Sequence, residues 1–152
     1  MKSIFSSTEK QLAVACVAFG GCVSVVLAPK NAYFLPNFLF FWGSQVLILV
    51  FALVFRLRAA VVAGIAFSLA LYLGLFGTWV YTRIHPESMA WLGYVFSLPG
   101  ALVGAGLAAT LTQEQPNRGA FAVGLLAAAS VATGIAINQV LVCSTVFYCG
   151  GG

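Results

Sequence analysis

The chain has 152 residues, of which 62% are hydrophobic and only 7% are charged. Soluble domains are close to half apolar and a quarter charged, so this composition argues against a soluble fold and predicts a single-domain integral membrane protein. The net charge is +4, but the sequence contains no run of basic residues and no alternation of basic with aromatic residues. This pattern argues against nucleic acid as a partner.

Five apolar stretches follow one another along the chain, separated by short polar segments. The first begins after Lys10, ends before Pro29, and is at the low end of the length required to cross a bilayer. The predicted fold is therefore an all-α bundle of five membrane-spanning helices, with four as the alternative if the first stretch is only interfacial. The predicted spans are 12–28, 38–55, 59–81, 89–111 and 119–143.

The fourth predicted span contains a proline, Pro99. Proline removes one backbone hydrogen bond, so we expect a kink near Phe96 and Ser97. Within a membrane a carbonyl freed in this way must find a donor on a neighbouring helix.

The distribution of basic residues predicts the orientation of the bundle. With the amino terminus in the cytoplasm, most basic residues fall on the cytoplasmic side, as the positive-inside rule requires, and the carboxyl terminus lies outside. The residues on the cytoplasmic side are then Lys2, Lys10, Arg56, Arg58 and Arg118, while Lys30 and Arg83 lie outside. Short loops and the absence of sorting motifs favour a bacterial inner membrane.

The run from Gly119 to Cys143 carries no charge, and we expect the bundle to be organised around it. Small residues recur at every fourth position, and such a ridge lets a neighbouring backbone approach closely. This predicted packing ridge consists of Ala120, Gly124, Ala128, Ala132 and Ala136. The partner of the ridge is either another helix of the chain or a second polypeptide.

Four cysteines form two pairs with the same spacing, Cys16/Cys22 and Cys143/Cys149. A carboxyl terminus outside the cell would place Cys143 and Cys149 in an oxidising space, where a disulfide between them can persist. Cys22 is an alternative partner for Cys143. A thiol oxidoreductase would be expected to carry a Cys-x-x-Cys pair, which the sequence lacks.

A group of aromatic and polar residues marks the predicted outer face as a candidate binding site. Such residues at the mouth of a cavity can bind a ligand, although Trp and Tyr also form the ordinary aromatic belt of membrane proteins. Arg83 and Glu87 are four residues apart and could pair with each other. A lone histidine predicts no metal site. The group comprises Trp79, Tyr81, Arg83, His85, Glu87 and Trp91.

Within the predicted spans the only strongly polar side chains are uncharged. Ion-coupled transporters usually carry a charged residue inside the membrane, so its absence argues against proton-coupled transport. We expect Gln45 to form an interhelical hydrogen bond, with the fifth span as the proposed partner. The intramembrane polar residues of interest are Ser44, Gln45, Ser97, Ser130, Asn138 and Gln139.

No set of residues resembles a hydrolase triad, a phosphate loop or a carboxylate pair, so the sequence favours a protein without catalytic activity or cofactor. The leading hypothesis is an accessory or assembly subunit of a larger membrane complex, or an immunity-like protein that occludes a partner by helix packing. Homo-oligomerisation is the other form of such packing. The alternatives are a small channel or carrier for a neutral solute, lined by the intramembrane polar residues, and a membrane thiol-redox protein.

Overall fold

The computed structural model describes residues 7–83, 90–113 and 118–145, and these ranges contain five helices and no strand. Each helix is long and apolar enough to cross a membrane, which indicates an integral membrane protein and confirms the prediction of five such helices. The helices are α1 (Ser7–Leu27), α2 (Phe34–Val54), α3 (Ala59–Tyr81), α4 (Ala90–Gln113) and α5 (Ala120–Thr145).

Helix α3 lies at the centre of the bundle and packs against each of the other four helices. Between Ala59 and Leu75 its exposed residues are Phe67, Leu71 and Leu75, which lie on one face at a spacing of four residues. Ala60–Ala66 is buried without interruption. The expectation that the 119–143 run would organise the bundle was therefore wrong: α5 packs mainly on α3 and α4 and leaves large side chains such as Phe121 exposed.

Helices α1, α3 and α5 run in the same direction. Leu27 at the end of α1 lies beside Gly77 near the end of α3, and Gly124 at the start of α5 lies beside Ala60 at the start of α3. All three helices consequently begin at one end of the bundle. We call this the basic end, because it carries Lys10, Arg56, Arg58 and Arg118, and we call the opposite end, with Trp79, Tyr81, Arg83 and Trp91, the aromatic end.

The buried side chains form two clusters. The aliphatic cluster fills the bundle toward the basic end, and its members from α4 and α5 are Ala101, Ala105, Ala108, Val123, Ala127, Val131 and Ile135. The aromatic cluster lies toward the aromatic end and comprises Phe41, Leu73, Phe76, Val80 and Tyr94, with Tyr72 and Trp91 packed against it.

Glycines bring backbones into direct contact around the aliphatic cluster. A Cβ added to Gly100 of α4 would overlap the carbonyl oxygen of Gly134 of α5, and one added to Gly134 would overlap that of Gly100. Gly64 of α3 faces the carbonyl oxygen of Gly124 of α5 in the same way. Because apolar side chains gain little by leaving lipid, such close backbone packing is what holds membrane helices together.

The turn between α2 and α3 ends α2 with a Schellman motif. The Arg56 N–H donates to the Leu53 carbonyl at 2.9 Å, and the Leu57 N–H donates to the Ala52 carbonyl at 3.1 Å. Arg56 has a φ of 50°, in the left-handed region that glycine usually occupies at this position of the motif. The turn places Arg58 at the start of α3, where its Nη2 lies 3.0 Å from Oε1 of Glu9 on α1.

Candidate functional site

Four of the six predicted outer-face residues meet at the aromatic end. The Tyr81 hydroxyl donates a hydrogen bond to the Leu27 carbonyl at 2.7 Å, and the Tyr81 ring meets Trp91 edge-on at 5.9 Å. The Arg83 guanidinium lies 4.1 Å above the Trp79 ring, a cation–π contact. These contacts join the ends of α1, α3 and α4 to one another.

The remaining two residues of that group, His85 and Glu87, lie outside the described residues. The proposed pairing of Arg83 with Glu87 therefore stays a prediction. Within the described part of the chain, no three His, Cys, Asp or Glu side chains come together to hold a metal ion.

Beneath this surface lies the aromatic cluster, which the sequence analysis did not identify. Phe41 packs on Trp91 with ring centroids 4.4 Å apart, and Tyr72 stacks on Tyr94 at 5.7 Å. The signal was present in the spacing, since Tyr72 and Phe76 are four residues apart and Trp91 and Tyr94 are three apart, which places each pair on one helix face.

The intramembrane polar residues fall into small groups that link helices. Ser44 of α2 shares a hydrogen bond with the hydroxyl of Tyr94 on α4, at 3.2 Å. The Tyr72 hydroxyl of α3 donates to Oε1 of Gln139 on α5 at 3.3 Å. Two tyrosines whose rings stack thus tie α2, α3, α4 and α5 together.

Gln45 is only 2% exposed and lies between α1 and α4. A Cβ on Gly20 would come within 2.6 Å of its Oε1, and its buried Nε2 has no hydrogen-bond partner among the described residues. The expected bond from Gln45 to the fifth span is not among the described contacts. The side chain that bonds to α5 is Tyr72, because α3 separates α2 from α5.

Asn138 of α5 bonds to α4 close to Pro99, which leaves the Val95 carbonyl without its intrahelical donor. Its Nδ2 donates to the Phe96 carbonyl oxygen at 2.5 Å, while the Ser97 hydroxyl donates to the Tyr94 carbonyl at 2.6 Å. A neighbouring helix therefore supplies a donor to the carbonyl that follows the one freed by the proline. Ser130 lies at the same α4–α5 interface, where its carbonyl oxygen closely faces Gly104.

The predicted ridge on α5 coincides only in part with the face that α5 buries, since Gly124 and Ala128 lie against Gly64 of α3. Ala120, Gly124 and Ala128 are half-buried, whereas Ala132 and Ala136 are exposed. The buried line runs through Val123, Ala127, Val131 and Ile135. Since the described residues cover neither Ala132 nor Ala136, their packing against a partner stays a prediction.

Three of the four cysteines lie on described helices, Cys16 and Cys22 on α1 and Cys143 on α5. Cys16 and Cys22 are free thiols on α1, so the alternative pairing of Cys22 with Cys143 does not form. The Sγ of Cys143 lies 3.6 Å from Nε2 of Gln139, which donates to it. Cys149 lies outside the described residues, and the Cys143–Cys149 disulfide stays a prediction.

Two further features lie toward the basic end. The Glu9–Arg58 ion pair is largely buried, with side-chain exposures of 7% and 23% respectively. Beside it a groove of about 350 Å³ runs between α1 and α5 along α3. Its lining consists of Leu12, Cys16, Ala63, Gly64, Phe67, Phe121, Gly124, Leu125 and Ala128.

Comparisons with family models, with curated proteins and with solved structures found no match for this chain. Any functional assignment therefore rests on the geometry of the bundle.

Proposed function

We propose that this chain is a non-enzymatic subunit of a larger complex in a bacterial inner membrane. The chain binds a partner helix through the exposed side of α5. The proposal rests on Ala132 and Ala136, which are exposed and leave a shallow surface on α5. This surface lies beside the buried line that contains Val131 and Ile135. Small residues at a helix surface permit close approach of a second helix in lipid.

The rest of α5 illustrates what such positions do. At Gly124 and Gly134 the backbone of α5 comes into contact with the backbones of α3 and α4. A helix that already packs in this manner on two sides is suited to receive a third helix on its exposed side. The partner is an accessory or assembly component of a larger complex, an occluded target, or a second copy.

The buried polar residues support the proposal, because their hydrogen bonds indicate a structural role within the bundle. Tyr94 and Ser97 are completely buried, and both hydrogen-bond within the bundle. Side chains whose polar groups are already paired are less available to line a path for a solute, which is why we rank the carrier hypothesis second. The placement of the basic end in the cytoplasm follows from the positive-inside rule.

The test is the mass of the assembly that contains this chain after gentle extraction from its native membrane. We expect the wild type in a larger assembly and the double variant Ala132→Leu/Ala136→Leu as a monomer, because two leucines would fill the surface. Ala18→Leu is the matched control, since Ala18 is exposed on α1. A wild-type chain extracted strictly as a monomer would contradict the proposal.

A further inference from the structure

The groove between α1 and α5 is an apolar feature that the proposed function does not use. Its floor is formed by small residues, Ala63 and Gly64 of α3 together with Gly124 and Ala128 of α5. Its walls are larger side chains, with Leu12 on α1 and Phe121 and Leu125 on α5. The shape is that of a slot with a flat base, open along one side to the surroundings of the bundle.

The slot extends from the basic end to a closure formed by rings. Leu12 and Phe121 lie in the first part of their helices, and Phe67 lies deeper along α3. Phe67 stacks on Phe19 of α1 with ring centroids 6.3 Å apart, which joins α1 to α3 at that depth. An occupant would therefore lie along the helices and project toward the basic end.

The basic end offers positive charge where the slot begins. Arg118 comes three residues before Phe121 and is exposed, and Arg56 and Lys10 are exposed at the same end. Glu9, the one acidic residue described there, is already paired with Arg58. In the sequence, Lys2 precedes α1 and Glu114 follows α4, and the two residues carry opposite charges.

We infer that the slot binds one acyl chain of an anionic phospholipid whose phosphate lies beside Arg118. An apolar slot of this volume falls within the range of ligand pockets, about 300–1,000 Å³, and its open side faces the lipid. Basic pockets between helices on the cytoplasmic side of membranes bind anionic headgroups. The inference rests on the proposed membrane placement of the bundle and is independent of any partner helix.

The experiment uses the full-length protein in detergent and an equimolar mixture of phosphatidylglycerol and phosphatidylcholine with identical acyl chains. Native mass spectrometry counts the lipids that remain on the monomer. We expect the wild type to retain phosphatidylglycerol in preference to phosphatidylcholine, and Arg118→Gln to lower that preference about fivefold. Arg83→Gln removes the same charge at the aromatic end and should leave the preference unchanged.

A second pair of variants tests the slot itself. Cys16→Trp fills it from the α1 side and should reduce retention of both lipids, whereas Ala18→Trp adds the same bulk on an exposed face of α1 and should not. Circular dichroism verifies that each variant is folded. If Cys16→Trp does not fold, the comparison of the wild type with Arg118→Gln tests the lipid site. Equal retention of the two lipids by the wild type, or a preference that survives Arg118→Gln, would mean ordinary boundary lipid and overturn the inference.

Because these measurements are made on the monomer, their failure differs from failure of the proposed function. A chain that holds phosphatidylglycerol but never joins an assembly would refute the partner-helix proposal alone. A chain that joins an assembly but shows no lipid preference would refute the lipid site alone.

Discussion

The two buried clusters of this bundle are filled by different side chains and joined by different contacts. In the aliphatic cluster, alanine and valine leave so little volume between α3, α4 and α5 that glycine carbonyls touch the neighbouring helix. In the aromatic cluster, the rings of Phe41, Tyr72, Phe76 and Tyr94 keep the backbones apart and contact one another. One region is held by backbone proximity and the other by side-chain contacts and hydrogen bonds.

The difference predicts opposite sensitivities to mutation. An interface made of backbones has no side chain that can move aside, so adding atoms should be the damaging change. An interface made of rings loses contacts when atoms are removed, so truncation should be the damaging change there. Both statements concern packing, since transfer from lipid to a protein interior adds little apolar free energy.

The largest effect should follow enlargement of a glycine at the α4–α5 interface. Gly100→Val places its side chain against the Gly134 carbonyl, which belongs to a rigid helix. We expect the free energy of unfolding to fall by about 3 kcal/mol, the upper part of the range for overpacking, because the obstacle is backbone. Reversible unfolding in mixed micelles containing a denaturing detergent measures it.

Gly106→Val is the matched control for that change. Gly106 lies on the same helix, and a Cβ there would meet no described atom within 4 Å. Both variants alter the intrinsic preference of α4 equally, so their difference isolates the interface. Equal losses in the two variants would remove the argument that α4 and α5 are held by backbone contact.

Truncation in the aromatic cluster should have the next largest effect. Phe41 is 1% exposed, and Phe41→Ala would leave a cavity beside Trp91. We expect a loss of about 2 kcal/mol, less than in a water-soluble core because only packing is lost. Phe121→Ala removes the same ring from a site that is 79% exposed and should change the free energy of unfolding little.

If Phe41→Ala and Phe121→Ala lower the free energy of unfolding by the same amount, the proposed difference between the two clusters is wrong for the aromatic cluster. The contacts of Phe41 with its neighbours would then contribute no more to stability than contacts with lipid do. The same unfolding assay applies to both variants.

The helices could be read from the sequence, because crossing a bilayer imposes a length and an apolar composition that leave a strong signal. Predicted boundaries such as 59–81 agree with α3, and α5, predicted to end at Cys143, continues to Thr145. Even the short first stretch forms a full helix, α1. These properties depend on single segments and not on how the segments meet.

The faces that meet could not be read in the same way. Helix α5 has small residues on every side, so a ridge through Ala132 and Ala136 and a buried line through Ala127 are equally compatible with its sequence. The choice depends on which neighbour is present, and that neighbour is α3 with Gly64 opposite Gly124. The Gly100-x-x-x-Gly104 spacing on α4 was a usable signal of tight packing that the sequence analysis did not use.

The hydrogen bonds of the aromatic cluster should contribute less than its rings. Tyr94→Phe removes the hydroxyl that meets Ser44 while keeping the ring in place. We expect a loss of about 0.6 kcal/mol, the average for such bonds between membrane helices. Tyr33→Phe is the control, because Tyr33 is 67% exposed. A loss as large as that of Phe41→Ala would show that polar bonds, and not rings, hold this region.

The smallest effect should come from a glycine whose neighbour is a side chain. A Cβ on Gly20 would lie 2.6 Å from Oε1 of Gln45, the mobile end of a long side chain, whereas a Cβ on Gly64 would overlap the backbone carbonyl of Gly124. Gly20→Ala should therefore change the free energy of unfolding by less than about 0.5 kcal/mol, since the better helix preference of alanine offsets a rotation of Gln45. Gly64→Ala should cost about 2 kcal/mol in the same assay. If Gly20→Ala proves as damaging as Gly64→Ala, Gln45 is fixed in position, and the contact of α1 with α2 belongs with the rigid interfaces and not with the adaptable ones.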